Sequence, residues 1–456
     1  MTQTLVLDYH IQPEQTFTYI NVPFEVPPQI GRIDVSYSYG DSISSDPTLV
    51  GGNTVDIGII DPRGGQFMTQ GFRGWSGSAR KQFYVAYDSA TPGYMPGPLQ
   101  AGTWAICLGA YKVAPQGCAV RIEVQLTPAT TAQPDSPPLL PVRTTANRPP
   151  NVDHWYKGEL HCHTVNSDGD STTAEVIQIA EALGLDFLAI TDHNNRSQLV
   201  NLARAETALT LIPGYEVTTY YGHWNIWGNG DWIDFRVQSP ADLQQAIDTA
   251  AAQGYLVSCN HPRPYGPDWA FPQVEGYATV EIWNGPWELL NERCLAFWEA
   301  RLKQGKHLVA VGGSDFHFSK QPHDAQLAHP TNYIYCPEVP SAANLLKHLR
   351  AGHAFVTEAP DGPRLELHLG TAMMGDTWIG TELPAVKLIV RGGARSEAQL
   401  WTADGIAASF PIREDEQIVE YHLSNLDCRY IRAQLVDTMT GNCRAITNPI
   451  YLQGGE

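Results

Sequence analysis

Gly158-Glu-Leu-His161-Cys-His163-Thr164, with Ser167-Asp168-Gly169 close behind it, closes a short apolar run and organises the reading of the whole chain. Side chains repeat every second residue along a strand, so His161 and His163 leave one face together while Cys162 leaves the other. Two imidazoles on one face suit a single metal ion, and the thiol between them belongs in the wall of the fold. A lone His-x-His also occurs in satisfied structural networks. Its weight here comes from the His, Asp and Glu residues that follow, most of them at the ends of expected strands.

Outward from that strand, taken as 158–163, strands alternate with amphipathic helices from Tyr156 to about Glu358. Helix 172–183 is followed by strand 186–192, a shorter helix near 196–206 and strand 209–217. An aromatic-rich loop then leads to helix 239–253 and strand 255–260. Strand 278–283 precedes helix 287–304, strand 307–313 carries a second His/Asp cluster, and strand 331–336 precedes helix 341–351. About seven such units predict parallel strands in a closed or distorted barrel, whose strand carboxyl ends hold the chemistry.

The flanks have a different rhythm. Between Leu5 and Leu126, short alternating runs such as Val55-Asp-Ile-Gly-Ile-Ile and Val120-Arg-Ile-Glu-Val-Gln-Leu are broken by Gly, Pro, Asn and Asp, which predicts a β-sandwich or jelly roll over 1–127. The proline-rich stretch 128–155 reads as a semi-rigid linker to the barrel at 156–358. Short strands return in Leu365-Glu-Leu-His-Leu and Tyr430-Ile-Arg-Ala-Gln-Leu-Val, and predict a second, smaller β-sandwich over 359–456.

At 456 residues the chain is too long for one ordinary core, and 43% hydrophobic residues with plentiful Gly and Pro argue against a disordered chain. A net charge of −19 opposes nucleic-acid binding through a basic surface, whereas bound divalent ions would invert the sign locally and admit a small anionic or ester substrate. The first residues, MTQTLVLDYHIQPEQ, carry no secretory signal pattern and no stretch has transmembrane length, so the expectation is a cytoplasmic protein without a membrane partner. The eight cysteines form no CxxC pair and fit reduced thiols; Cys107 with Cys118, and Cys428 with Cys443, stay open as cross-strand neighbours. A homo-oligomer is compatible with all of this.

After His161, His163 and Asp168 come Thr191-Asp192-His193-Asn194, Gly214-Tyr-Glu216, Gly222-His223, Asn260-His261-Pro262 and Gly313-Ser314-Asp315-Phe-His317. This nitrogen and oxygen set suits Zn, Mn, Fe or Ni better than Ca or Mg, and it is too large for one four-coordinate ion. Two or three ions are implied. Any one of these histidines is also readable as a satisfied core or surface residue; as a set, unpaired buried charge would be costly without a metal.

The order and local words of these motifs resemble the PHP (polymerase and histidinol phosphatase) family of metallohydrolases. The resemblance implies a distorted (β/α)7 TIM-like barrel, flanked here by amino- and carboxyl-terminal β-sandwich domains. It implies one ion on His161, His163, Glu216 and Asp315, a second on Glu216, His223 and His261, and a third on Asp168, His193 and His317, with Glu216, His261 and Asp315 at the reacting centre. More narrowly, Phe72-Arg-Gly-Trp, Glu281-Ile-Trp-Asn-Gly, Ala351-Gly-His-Ala-Phe-Val-Thr and the closing Thr447-Asn-Pro-Ile-Tyr look like the CehA/McbA-type subgroup, named for carbaryl hydrolases. His353 stands where an Arg is common there.

The first functional expectation is hydrolysis of a small phosphomonoester or phosphodiester by a water shared between two ions bridged by Glu216. Arg263 and Tyr265 are candidates for contact with the leaving group or phosphate, with Asn194 and Trp224 as further substrate contacts. The alternative is a carbamate or carboxylic ester, with the aromatic loop Tyr220 to Trp232, Trp269 and Phe271 walling an apolar leaving group. Those rings are equally readable as packing between barrel and sandwich. A third reading is a non-enzymic, metal-stabilised binding scaffold. His323 and His329 could reach the rim, and His10, His154, His307, His348, His368 and His422 read as structural.

Overall fold

The outer faces of the amino-terminal strands, as much as the strands themselves, determine how this chain is assembled. In the computed structural model, which describes residues 2–130, 141–145, 149–228, 231–264, 267–321, 325–380, 382–423 and 428–454, the first layer is a sandwich of two four-stranded antiparallel sheets. Gln3–Ile11, Cys118–Pro128, Ile30–Tyr39 and Gln82–Ala86 form one; Tyr19–Val26, Gly102–Lys112, Thr54–Ile60 and Phe72–Trp75 form the other. Alternation sends Val120, Ile122, Val124 and Leu126 into the core against Val55, Ile57, Ile59, Ile106 and Leu108.

Every residue of Thr54–Ile60 is nonetheless buried. Asp56, Gly58 and Ile60 occupy the face turned away from the sandwich core, and there they meet the central region: Tyr220 lies on Asp56, and Phe72 stacks on Trp232 at 4.4 Å. Asp234 holds the same seam, accepting from Met68 N at 2.9 Å and pairing with Arg236 at 2.6 Å.

In the central region the strands Trp155–Glu159, Phe187–Leu188 and Thr210–Leu211 are parallel neighbours, as are Leu256–Cys259, Thr279–Asn284 and Val309–Gly313. Two features depart from an all-parallel rhythm. The expected strand 209–217 breaks at Pro213, which has no N–H to donate, and restarts as Gly214–Thr219. That strand then turns through Tyr220 and Tyr221 into Gly222–Trp227, an antiparallel hairpin where a loop was expected. Thr331–Tyr335 also runs antiparallel to Trp155–Glu159. Among the described residues the two sets of strands belong to separate sheets, and only the single bridges Cys162 to Phe316 and His193 to Glu216 span the seams at their carboxyl ends.

Among the described residues five α-helices cover these sheets: α1 (Thr173–Ala182), α2 (Ser197–Leu202), α3 (Pro240–Ala252), α4 (Asn291–Lys303) and α5 (Ala342–Arg350). Their starts are set locally. Thr172 and Glu175 form a reciprocal capping box on α1, and Ser239 and Ser341 cap α3 and α5. The helix expected over 287–304 begins only at Asn291, after Leu290 in a left-handed conformation. No helix among the described residues is long and apolar enough to cross a membrane.

Beyond 358 the sheet does not stop. Ala354–Thr357 pairs with Cys443–Thr447, which continues through Tyr430–Asp437 and Ser396–Thr402 to Gly405–Ile412. A second sheet, with Arg364–Leu369, Val386–Arg391 and Glu416–Tyr421, packs on it over Leu365, Leu367, Leu388 and Leu435. Asn448 locks the junction: it accepts from Ala310 N at 2.7 Å and donates to Ala310 O and Ala354 O at 3.1 and 2.9 Å. In the stretch read as a linker, residues 131–140 and 146–148 lie outside the described residues, while Thr145 bridges to Ser341. All eight cysteines are buried, and none is joined in a disulfide.

Candidate metal centre

The strand Trp155–Glu159 delivers His161 and His163 because its end is clamped. Glu159 is fully buried, and its carboxylate accepts backbone N–H groups from Leu160, His161, Ser314 and Ala328 at 2.9, 2.8, 3.2 and 2.7 Å. Burial pushes this carboxyl up to about 7, against the opposing pull of those donors. Cys162 points the other way, with Sγ 3.4 Å from Ala189 O, as alternation requires.

The remaining strand ends bring the other donors to the same place. His161 Nε2 lies 3.3 Å from Glu216 Oε1 and 3.4 Å from Asp315 Oδ1, and His163 Nε2 lies 3.0 Å from Asp315 Oδ1. Glu216 Oε1 is 3.3 Å from His223 Nδ1 and 3.5 Å from His261 Nε2. Asp168 Oδ1 stands 3.5 Å from His193 Nε2 and 3.3 Å from His317 Nε2, beside His163, whose ring is 4.1 Å from that of His317. In each of three groups, His161–His163–Asp315, Glu216–His223–His261 and His163–Asp168–His193–His317, one ligand atom per residue falls within 4.8 Å of the others.

The donor set fits metal ions on two independent counts. His161 Nε2 and His163 Nε2 are buried without a hydrogen-bond partner, a costly state for a ring nitrogen unless something else satisfies it. Donors about 2.1 Å from a shared tetrahedral ion stand roughly 3.4 Å apart, and the nitrogen–oxygen separations above cluster around that value.

Charge points the same way. Burial alone would raise the Glu216 carboxyl, but His161, His223 and His193 hold it well below the usual range. Asp315 is held down against burial by His161, His163 and His317, and Asp168 by His193 and His317. The carboxylates are thus ionised, the form that binds metal. Burial, with His317 and His193 beside it, lowers the His163 imidazole to about 3 and leaves it neutral. His317 runs the other way: burial would depress it, yet Asp168 and Asp315 carry it to about 10, so ion binding there must displace a proton.

Two residues given no role in the sequence reading prove central to the arrangement. Glu281, buried within Thr279–Asn284, meets His161 Nδ1 at 2.9 Å through Oε1; its Oε2 accepts from His261 N and Asn284 Nδ2, both at 3.1 Å. It fixes the ring so that Nε2 faces the cluster. Asp192 accepts from Thr164 N at 2.8 Å and Ser167 Oγ at 2.6 Å, bracing the loop that carries Asp168. Both stand inside stretches quoted above, and for Asp192 the end of the expected strand 186–192 is the signal that could have singled it out. Around Glu216, Asn260 Nδ2 donates to Oε1 at 3.0 Å and His193 Nδ1 approaches Oε2 at 2.7 Å.

The expected substrate contacts are placed differently. Arg263 is buried, and its guanidinium donates to Asn284 O, Asn284 Oδ1 and Asn291 Oδ1 at 3.1, 2.6 and 2.8 Å, binding the 284–291 turn rather than facing the centre. Trp224 lies in the hydrophobic core, because His223 and Asn225 take the other face of its strand. Asn194 exchanges hydrogen bonds with the Thr218 backbone at 2.7 and 2.8 Å and also lines the cavity beside the centre. Tyr265 and His323 lie outside the described residues. Trp227, Trp232 and Trp269 are buried packing, so most of the aromatic loop joins the layers. His353 meets Asp376 at 3.0 Å and His348 at 3.1 Å, a pairing that accounts for the histidine there.

Residues 159–255 match the family model described as PHP domain, a span that holds His161, His163, Asp168, His193, Glu216 and His223. Among curated proteins, a "5'-3' exoribonuclease Rnm" of Salmonella typhimurium is 32% identical over 105 residues, 22% of this chain and 36% of that protein. The protein of the same name from Escherichia coli K12 is 36% identical over 67 residues, 14% of this chain and 23% of its own. The chain therefore spans about a third or less of the curated relatives it matches. Among solved structures, a two-domain protein from Bacteroides vulgatus, described as containing a "predicted PHP-like metal-dependent phosphoesterase", is 17% identical with a TM-score of 0.40, covering 70% of this chain and all of that one.

Proposed function

We propose that the chain is a metal-dependent hydrolase of small phosphoesters, of the PHP type. The observation that carries this reading is the convergence of His161, His163, Glu216, His261 and Asp315 on one point with buried ring nitrogens left unsatisfied by the protein. His161, His163, Glu216 and Asp315 would hold one ion, Glu216, His223 and His261 a second, and Asp168, His193 and His317 a third. When bound, such ions polarise a phosphoryl oxygen and lower the pKa of water. The chain's own contribution is preorganisation: Glu281 and Asn260 hold His161 and Glu216 in register, and Asp192 fixes the loop that presents Asp168. The ionised carboxylates and the neutral His163 need no proton rearrangement to act as ligands.

Metal analysis of purified protein, followed by assay on phosphomonoesters and phosphodiesters after reconstitution with Zn, Mn or Fe, tests the proposal. Hydrolysis that disappears in His161→Ala and Glu216→Gln while folding is retained supports it, and inertness towards the whole panel refutes it. A carbamate or ester substrate is the second reading, supported by the aromatic surfaces of Tyr19, Trp75 and Tyr111 in the cavity beside the centre. Matched aryl phosphate and aryl carbamate substrates separate the two by which turnover dominates. A ribonucleic acid strand, as the names of the partial relatives would suggest, is the less favoured substrate: the net charge of −19 opposes a polyanion, and no Lys or Arg lies among the described residues of the cavity wall.

A further inference from the structure

The cavity that opens from the metal centre toward the amino-terminal sandwich has a composition that the hydrolysis itself does not require. It measures about 390 Å³; Asp168, His193 and His223 stand at one end, and Tyr19, Asp56, Trp75, Tyr111 and Tyr220 at the other. The far end is therefore built from the outer face of the sheet containing Thr54–Ile60, a surface that alternation exposes to the central region.

Its rings pack on one another and form an aromatic wall that cages the cavity from one side only. Tyr19 and Tyr220 stack at 5.0 Å between centroids, Tyr111 lies 5.4 Å from Tyr220, and Trp75 lies 6.1 Å from Tyr19. A carboxylate stands among them: Asp56 Oδ2 accepts from Tyr220 Oη at 2.8 Å. Its other oxygen faces Gly77, itself on the cavity wall, where an added β-carbon would sit 3.8 Å from both Asp56 Oδ1 and Trp75 Nε1. Burial pushes the Asp56 carboxyl up to about 7, with Tyr220 and the Lys81 charge offsetting only part of it.

We propose that this cage is the subsite for the non-reacting end of the substrate and takes an organic cation, a quaternary or tertiary ammonium group joined by a short chain to the phosphate. The proposal rests on the phosphoester reading for the reacting end only. Ring faces attract a desolvated cation, and a quaternary ammonium forms no hydrogen bonds that the rings would leave unmet. A cation seated beside Asp56 would favour the ionised carboxylate, whereas a second anionic group would find neither lysine nor arginine among the described wall residues.

Calorimetric titration of the purified, metal-reconstituted protein with choline and with its neutral isostere 3,3-dimethylbutan-1-ol is the test. Choline is expected to bind at least about tenfold more tightly, the scale of one partly desolvated cation–π contact. Asp56→Asn and Tyr111→Leu should each remove most of that preference, and Tyr111→Phe should keep it; should Asp56→Asn fail to fold, the Tyr111 pair decides. With choline phosphate and 3,3-dimethylbutyl phosphate as substrates, the preference should appear mainly in KM. Equal binding of choline and the alcohol, or an unaltered preference in folded Tyr111→Leu, overturns the subsite. Preferential choline binding without hydrolysis of any phosphoester refutes the phosphoester reading and leaves the subsite standing.

Discussion

Replacing Glu281 with alanine tests how far the centre depends on a residue that orients a ligand rather than serving as one. The carboxylate holds His161 Nδ1 at 2.9 Å and His261 N at 3.1 Å, with both partners buried. Glu281→Ala leaves two buried donors without an acceptor, at about 1–3 kcal/mol each, and allows the His161 ring to rotate away from the cluster. Loss of an outer partner of this kind lowers metal affinity roughly 10- to 100-fold, and removal of both contacts places the alanine variant at the upper end. Glu281→Gln keeps one acceptor oxygen but no charge, so about tenfold is expected. Competition against a chromogenic chelator reads the affinity, and circular dichroism reports whether the variant is folded. A folded Glu281→Ala protein that binds Zn or Mn within twofold of the parent refutes the argument, because Nε2 of His161 would then be oriented by something else.

Chelation should lower the melting temperature, since metal binding stabilises only the folded centre; an ion present at a thousandfold over its Kd contributes about 4 kcal/mol, and an unchanged Tm after verified metal removal contradicts the centre. For Asp56, whose carboxyl sits near 7 in the folded chain, folding retains a proton that the unfolded chain releases near pH 4. Its contribution is fully present below pH 4 and is lost as pH rises through 7, on the order of 4 kcal/mol in all. Asp56→Asn should flatten that slope in urea titrations between pH 4 and 8, and an unchanged slope would show the carboxyl to be ionised throughout. Gly109→Ala would place a β-carbon 2.2 Å from Tyr220 Oη and 3.1 Å from Asp56 Cβ, with Trp75 also in the way. A loss of about 1–3 kcal/mol is expected, read by denaturant unfolding, together with weaker choline binding; a neutral effect on both would show that the cage yields freely.

The candidate donors were legible because most of them were expected at or just past a strand end, where short-range alternation decides which way a side chain leaves. His161 and His163 flanking an inward Cys162 is the plainest case. Glu281 was not legible as a partner of His161, because the two are joined only by the pairing of sheets and carry no local mark of their distance. Arg263 misled for a related reason. An arginine two residues after a ligand suggests an anion contact, but Asn284 and Asn291, brought over by the turn before α4, capture its guanidinium.

Strand direction shows the same division. Pro213 and the Tyr220-Tyr221 turn convert an expected strand and loop into a hairpin, and Thr331–Tyr335 pairs antiparallel although the alternating rhythm has no term for direction. The sequence by itself determined the alternation of faces, the helix caps and the chemical type of the donors, all of which depend on neighbours within a few residues. The tertiary structure alone decided that Glu281 meets His161, that Ala354–Thr357 extends its sheet past residue 358, and that the outer face of a sandwich supplies Asp56 to the cavity. Those contacts join positions far apart in the chain, and each depends on which sheets pack together.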